Sequence, residues 1–138
     1  MTDSRTPATG HDAEGPPQHP AVPAATVVLL RDGSDGLEVL MLRRNSKLEF
    51  VGGMWVFPGG RVDPSDIDTD RPHDDTASAR RAAVREAAEE AGLTVDANSL
   101  VWFSHWTPPS ITPRRFATWF FVARAPVGTV TVDGGEIH

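Results

Sequence analysis

The chain has no cysteine. That excludes disulfides, thiolate-held metals and a cysteine nucleophile, and it fits a reducing compartment such as the cytoplasm. It also lacks an excess of positive charge: 13 Lys and Arg stand against 19 Asp and Glu, for a net charge of -6. No global basic field draws nucleic acid, so a site for a polyanion would depend on metal ions or on local arginines. No apolar run approaches the roughly 20 residues of a membrane span. The N-terminus lacks the basic start and apolar core of a secretory signal. These absences leave a cytoplasmic protein with no nucleic-acid or membrane partner as the expectation. There is no internal repeat, and 138 residues suit one domain with a core of its own.

What is present begins with a leader. Met1 to Pro23 is rich in Pro, Gly, Ala and polar residues and has little to bury, which predicts disorder. Its His11 and His19 are isolated and are read as solvent-exposed rather than metal-binding. A domain is expected from Ala24 to His138. Ala24–Leu30 predicts a buried strand, the turn formers Arg31 to Gly36 a reversal, and Leu37–Leu42 a returning strand, together a hairpin. Met54–Phe57 predicts a third strand that delivers the chain to a glycine turn at Pro58-Gly59-Gly60. Asp63 to Asp75 holds six aspartates and two prolines and reads as a solvated acidic loop, with metal binding by some of the aspartates as the alternative. Val101–Trp106, Thr118–Ala123 and Thr129–Val132 are further strand candidates.

Between the loop and those last strands lies one helix. From Thr76 or Ser78 the sequence is dominated by Ala, Arg and Glu, and Ala79, Ala83, Ala87 and Ala91 recur every fourth residue. That spacing predicts a narrow small-residue face packed on a sheet, with Gly92 as the left-handed stop. Strands, one helix, then strands imply an α/β fold with a mixed sheet. A sheet with one clear helix has its other face uncovered, which predicts a C-terminal part beyond His138 or a covering chain. A homodimer is one such arrangement.

Glu86, Glu89 and Glu90 project from one face of this helix. Like charges at that spacing repel, and carboxylates near a helix C-terminus oppose its dipole. Arg85 offsets part of this by pairing with Glu89. A divalent cation offsets more, because carboxylate oxygens suit Mg2+ or Mn2+. Such ions neutralise a pyrophosphate bridge and activate water. The plainer reading is a charged surface helix.

Arg85-Glu86-Ala87-Ala88-Glu89-Glu90-Ala91-Gly92-Leu93, with Phe57-Pro58-Gly59-Gly60 before it, resembles the Nudix box, G-x5-E-x7-R-E-U-x-E-E-x-G-U with U aliphatic. The resemblance implies a Nudix-type α/β/α sandwich and metal-dependent hydrolysis of a nucleoside diphosphate linked to another group. It implies that Glu86, Glu89 and Glu90 coordinate metal and activate water, that Arg85 orients a glutamate, and that the carbonyl near Gly59 or Gly60 adds a ligand. Glu136 is the late candidate for one more carboxylate, against a reading as an exposed tail residue. Two departures stand out. Gly60 to Arg85 is 25 positions where the pattern has 14, eleven more, and counting back from Arg85 puts Ala77 where the first glutamate belongs.

The long loop, Arg114-Arg115-Phe116-Ala117-Thr118, and Gly53-Met54-Trp55-Val56-Phe57-Pro58-Gly59-Gly60, which fits G-x3-F-P-G-G, are similar to members acting on coenzyme A and acyl-CoA. The upstream part departs, with Asn45 for Ser or Ala and Glu49 for Arg. Arg43, Arg44, Arg61, Arg114 and Arg115 are the candidate phosphate contacts, since guanidinium forks match phosphate oxygens. A solvated loop is the alternative for Arg43 and Arg44. Trp106 is the candidate for stacking a base; Trp102, Phe116 and Trp119 are read as core. His105 is read as structural rather than as an acid–base group. The competing functions are hydrolysis of nucleotide sugars, ADP-ribose or nucleoside triphosphates, and a Nudix-fold sensor that binds nucleotide without cleaving it.

Overall fold

The computed structural model describes residues 20–45, 47, 52–111, 115–132 and 134. Its centre is β1 (Val22–Gly33), the longest strand. Along β1, Ala25, Val27 and Leu29 are buried in alternation with half-buried neighbours, the period-2 signature of a strand with one face on the core. β1 turns at Ser34-Asp35 into β2 (Gly36–Val39), pairing Arg31 with Glu38 and Leu30 with Val39. The hairpin expected from the turn formers is therefore present, and the strand runs further at both ends than Ala24–Leu30.

The returning strand is shorter than expected. It stops at Val39, and Leu42–Arg43 forms a separate β3, which pairs with β4 (Trp55–Val56) in its own two-stranded sheet. A larger correction concerns the glycines. Gly59-Gly60 is not a turn. Gly59–Arg61 is β5, antiparallel to the N-terminal half of β1 with Gly60 opposite Ala25. A Cβ at Gly59 would collide with the Ala25 carbonyl and lie 2.9 Å from Thr26 Cα. Glycine is needed here for close approach of two backbones rather than for reversal.

On its other side β1 pairs in parallel with β7 (Phe116–Arg124), and β6 (Val101–Trp106) closes that edge antiparallel to β7. The sheet is mixed, as expected. Its rows matter for the site: Gly60, Ala25, Trp119 and His105 lie side by side across four strands, and Arg61, Ala24, Thr118 and Trp106 form the next row.

Helix α1 (Asp75–Ala91) lies on one face. Its N-terminus is capped by Asp74, whose carboxylate accepts the Ala77 N–H at 3.0 Å. Gly92 ends it at φ +69°, where the Gly92 and Leu93 amides reach back to the Ala88 and Ala87 carbonyls at 3.0 and 3.3 Å. Ala79, Ala82, Ala83, Ala87 and Ala91 are all buried against Val27, Leu29 and Phe121. Their small side chains bring the helix close to the sheet, so the backbone of β5 lies within reach of glutamate side chains on α1.

Thr129–Val132 is not a strand. The chain there lays the Thr131 N–H on the Ala91 carbonyl at 2.8 Å, so it satisfies one of the carbonyls that a helix end leaves over and pairs with no sheet edge. On the sheet face away from α1, Leu37, Val101 and Phe103 are exposed. Among the described residues no helix is long and apolar enough to cross a membrane.

Candidate active site

The site is built where α1 crosses β5. Glu90 is 2% exposed, and its Oε1 accepts the Gly59 N–H at 3.0 Å. One turn earlier, the Glu86 carboxylate occupies the space over Gly60: a Cβ there would overlap Glu86 Oε2. Two carboxylates thus lie on the glycine backbone of β5, and each glycine is required for a different contact. Glu89 lies further out, beside Glu86 on the same Arg85 nitrogen. Its side chain is 56% exposed, and its Oε1 accepts from Arg85 Nη1 at 3.1 Å.

Arg85 is the hub beside them. Nε and Nη2 fork onto Asp66, to Oδ1 at 3.1 Å and Oδ2 at 3.0 Å. Nη2 also donates to the Arg61 carbonyl at 2.9 Å, and Nη1 to Glu86 Oε1 at 3.3 Å as well as to Glu89. Asp63 lies 3.5 Å from Nη2. The hydrogen bond from Asp66, then the nearby charges of Glu86, Asp66 and Asp63, hold the guanidinium pKa above its ordinary value despite partial burial. Arg85 is a cation at every working pH.

A cavity of about 490 Å3 opens from this junction. Glu86, Glu90, Gly60, Arg44 and Arg61 all line it, and it continues to Phe57, Phe116 and Thr118. A larger hollow, about 790 Å3, lies between Leu29, Met41, Leu93 and Val127, but it holds no carboxylate cluster and touches none of these residues.

The other residues singled out from sequence fall elsewhere. Arg43 donates from Nε to the Gly53 carbonyl at 3.4 Å, and Arg115 from Nε to the Pro108 carbonyl at 3.1 Å; neither lines the cavity. Trp106 is 67% exposed and pairs with Thr118, which lines the cavity, but Trp106 itself does not line it. His105 stacks on Trp119 with ring centroids 4.2 Å apart, and Trp102 meets the same indole at 5.1 Å. Arg114 and Glu136 lie outside the described residues.

One aspartate of the acidic loop, Asp66, meets Arg85 of the site, a contact the sequence did not assign. The loop was expected to be solvated, yet Asp66 is 5% exposed at the end of a 3-10 turn, Pro64–Asp66. Asp68 faces Arg81 at 3.5 Å and Arg71 at 3.6 Å. The signal was in the motif: counted forward from Gly60, G-x5 lands on Asp66. Counting back from Arg85 crosses the insertion and lands on Ala77, which sits in the first turn of α1 under the Asp74 cap.

Among the described residues no three His, Cys, Asp or Glu side chains converge at ligand spacing. The side-chain donors at the junction, the Glu86 and Glu90 carboxylates, are all oxygen. That fits Mg2+ or Mn2+, which is commonly held by one or two carboxylates with water and substrate phosphates completing the shell.

Comparison with known proteins agrees with this geometry. The model of the NUDIX domain matches residues 20–138. A curated relative, "Peroxisomal coenzyme A diphosphatase ndx-8" of Caenorhabditis elegans, is 37% identical over 79 residues, 56% of this chain; the chain spans only 30% of that protein's length. Among solved structures, a NUDIX hydrolase from Alicyclobacillus acidocaldarius superposes with a TM-score of 0.72 at 27% identity, covering 86% of this chain and 76% of the other. The NUDIX domain of Shewanella oneidensis NrtR, complexed with ADP ribose, superposes at 0.67 with 18% identity, covering 100% of this chain and 80% of the other, and so shares the fold. With Glu86 and Glu90 seated on Gly59-Gly60 and Arg85 locked beside them, this chain belongs to the Nudix family.

Proposed function

We propose that the protein hydrolyses the pyrophosphate bond of a nucleoside diphosphate linked to another group, with a divalent metal ion, Mg2+ or Mn2+. The observation that carries this reading is the single cavity in which Glu86, Glu90 and Gly60 meet Arg44 and Arg61. Glu86, Glu89, Glu90 and the Gly60 carbonyl would hold the ion. When bound, it neutralises diphosphate charge and makes a coordinated water more acidic.

The protein's own groups do the rest. Arg44 and Arg61 bind phosphate oxygens and set the diphosphate against the glutamates. Glu86 or Glu89 accepts the proton of the attacking water. The water oxygen bonds to one phosphorus, the bridging P–O bond breaks, and two phosphomonoesters leave. Arg85 orients the glutamates throughout. Trp106, exposed on β6 opposite the cavity residue Thr118, stacks a base.

Within that class we favour coenzyme A or acyl-CoA, cleaved to 3',5'-ADP and (acyl-)phosphopantetheine. Support comes from the curated relative's name and from Gly53-Met54-Trp55-Val56-Phe57-Pro58-Gly59-Gly60. The test is product identification after incubation with Mg2+ or Mn2+ and a panel of CoA, acyl-CoA, ADP-ribose, nucleotide sugars and triphosphates. Release of 3',5'-ADP is the expected result. Cleavage of another member but not of CoA would reassign the substrate, and tight nucleotide binding without any cleavage would make the protein a sensor.

A further inference from the structure

The larger hollow, about 790 Å3, takes no part in the chemistry above. It is mainly apolar. Leu29 of β1 and Leu93, just past the end of α1, are buried beneath it, while Val39, Met41 and Val130 line it with side chains exposed to solvent. Hollows of roughly 300–1,000 Å3 with mostly apolar linings are typical of small-molecule sites. Apolar side chains gathered round one opening, unlike those scattered singly over a surface, call for a cover. Among the described residues that line it, two carry charge, Arg31 and Glu38. They meet each other at 2.7 Å, and both side chains are exposed. Each charge is matched by the other, so the hollow suits an uncharged chain rather than an ionic head group.

Its position relative to the catalytic cavity narrows the choice. Leu29 lies three residues along β1 from Thr26, the partner of Gly59, and the Leu40 N–H donates to the Leu29 carbonyl at 3.0 Å. The same stretch then passes to the cavity. Met41 lines the hollow, Leu42 pairs with the cavity residue Val56, and Arg44 lines the cavity. Met41 and Arg44, three residues apart, are separated by at most about 10 Å. A ligand whose diphosphate lies in the cavity reaches the hollow if it carries a linear arm of that length.

We propose that the hollow binds the alkyl chain of an acyl thioester whose diphosphate occupies the catalytic cavity. This rests on the coenzyme A reading above and sharpens it: the preferred substrate is an acyl-CoA of medium or longer chain rather than free CoA. The arm between diphosphate and thioester is linear and longer than the gap along β3. The cavity with its arginines takes the charged end, and the hollow takes the uncharged one.

The experiment compares CoA, acetyl-CoA and octanoyl-CoA on the full chain. Wild type is expected to show kcat/KM for octanoyl-CoA at least about tenfold above that for CoA. Met41→Glu sets a charge in the lining and is expected to bring the two within about threefold, with CoA itself cleaved as by wild type. Val130→Glu, on a different segment, is expected to do the same, so a folding defect in one variant does not decide the matter. A wild type without the preference, or a preference kept in both variants, would overturn the proposal. So would a dimer that Met41→Glu dissociates in the absence of any chain-length preference, since the cover is then a second copy. S-octanoyl-pantetheine, which has the chain and the arm but no diphosphate, is expected to shift the methyl NMR signals of Met41, Leu93 and Val130. If no CoA thioester is cleaved yet these signals shift, the substrate reading fails and the chain site stands. If CoA is cleaved and none of them shifts, the chain site fails on its own.

Discussion

Glu90 and Gly59, 31 residues apart in the chain, meet through a 3.0 Å hydrogen bond from the glycine amide to a carboxylate that is almost wholly buried. Glutamine at 90 keeps an acceptor oxygen for that amide but removes the charge. Glu90→Gln is expected to melt within a few degrees of wild type, bind Mn2+ roughly 10–100-fold more weakly, and turn over roughly 100–1000-fold more slowly. Electron paramagnetic titration of Mn2+ and a product assay measure the two losses. Unchanged Mn2+ affinity would remove Glu90 from the ligand set.

Gly60→Ala tests the other contact. The added methyl meets Glu86 Oε2, and the flexible carboxylate, not the backbone, yields. The expected outcome is a folded protein with turnover reduced at least about tenfold, because the displaced group belongs to the proposed site. A melting curve and a kcat measurement separate the two effects; wild-type kcat would contradict the placement of Glu86.

Ala83 is 1% exposed in the helix–sheet contact. Leucine there overfills a packed layer, at an expected cost of ~1–3 kcal/mol. Urea unfolding gives the number. The lift of α1 off β5 should also weaken turnover before the protein unfolds, and a destabilised variant with full activity would show that the helix height does not control the site.

Asp68 is held below its ordinary pKa of 3.8, first by the Asp70 backbone N–H and then by Arg81 and Arg71, with desolvation opposing. A depressed folded-state value means that the contribution is present above the unfolded pKa and is lost as pH falls through the folded one. Asp68→Asn should therefore lower the melting temperature slightly at pH 5–7, the difference vanishing below about pH 3. Parallel melting curves from pH 2 to 7 would count against it.

Trp106 is exposed on β6, paired with Thr118, which lines the cavity. Trp106→Ala is expected to raise KM roughly fivefold or more for substrates carrying a base while leaving kcat near wild type, since stacking on an aromatic ring contributes about 1–3 kcal/mol per base in nucleic-acid complexes. An unchanged KM for every base-bearing substrate would discard the stacking role.

Much of this was readable in the residues. The alanine repeat announced the buried face of α1, Gly92 its end, and the β-branched run its central strand, because each depends on local periodicity or on one φ angle. What was not readable depended on partners far along the chain. Gly59-Gly60 looked like a turn, since glycine pairs usually are, and only the Ala25 carbonyl and the Glu86 carboxylate reveal why they sit in a strand. Asp66 looked solvated among five other aspartates until Arg85 supplied its charge partner. Thr129–Val132 had strand propensity, but a helix end with a spare carbonyl took its amide.

The parallel pairing of Val22–Leu30 with Phe116–Arg124 has a consequence for how the protein is made. The hairpin and α1 are local and can form as soon as they emerge from the ribosome. The middle of the sheet must wait until the distant β7 has been synthesised, and such a late, non-local closure is slow. Until then β1 and β5, on which the glutamates of α1 rest, lack the support of β7. Metal binding at the proposed site is therefore expected only after β7 has docked, and a chain ending before Phe116 should bind Mn2+ more weakly than the full chain.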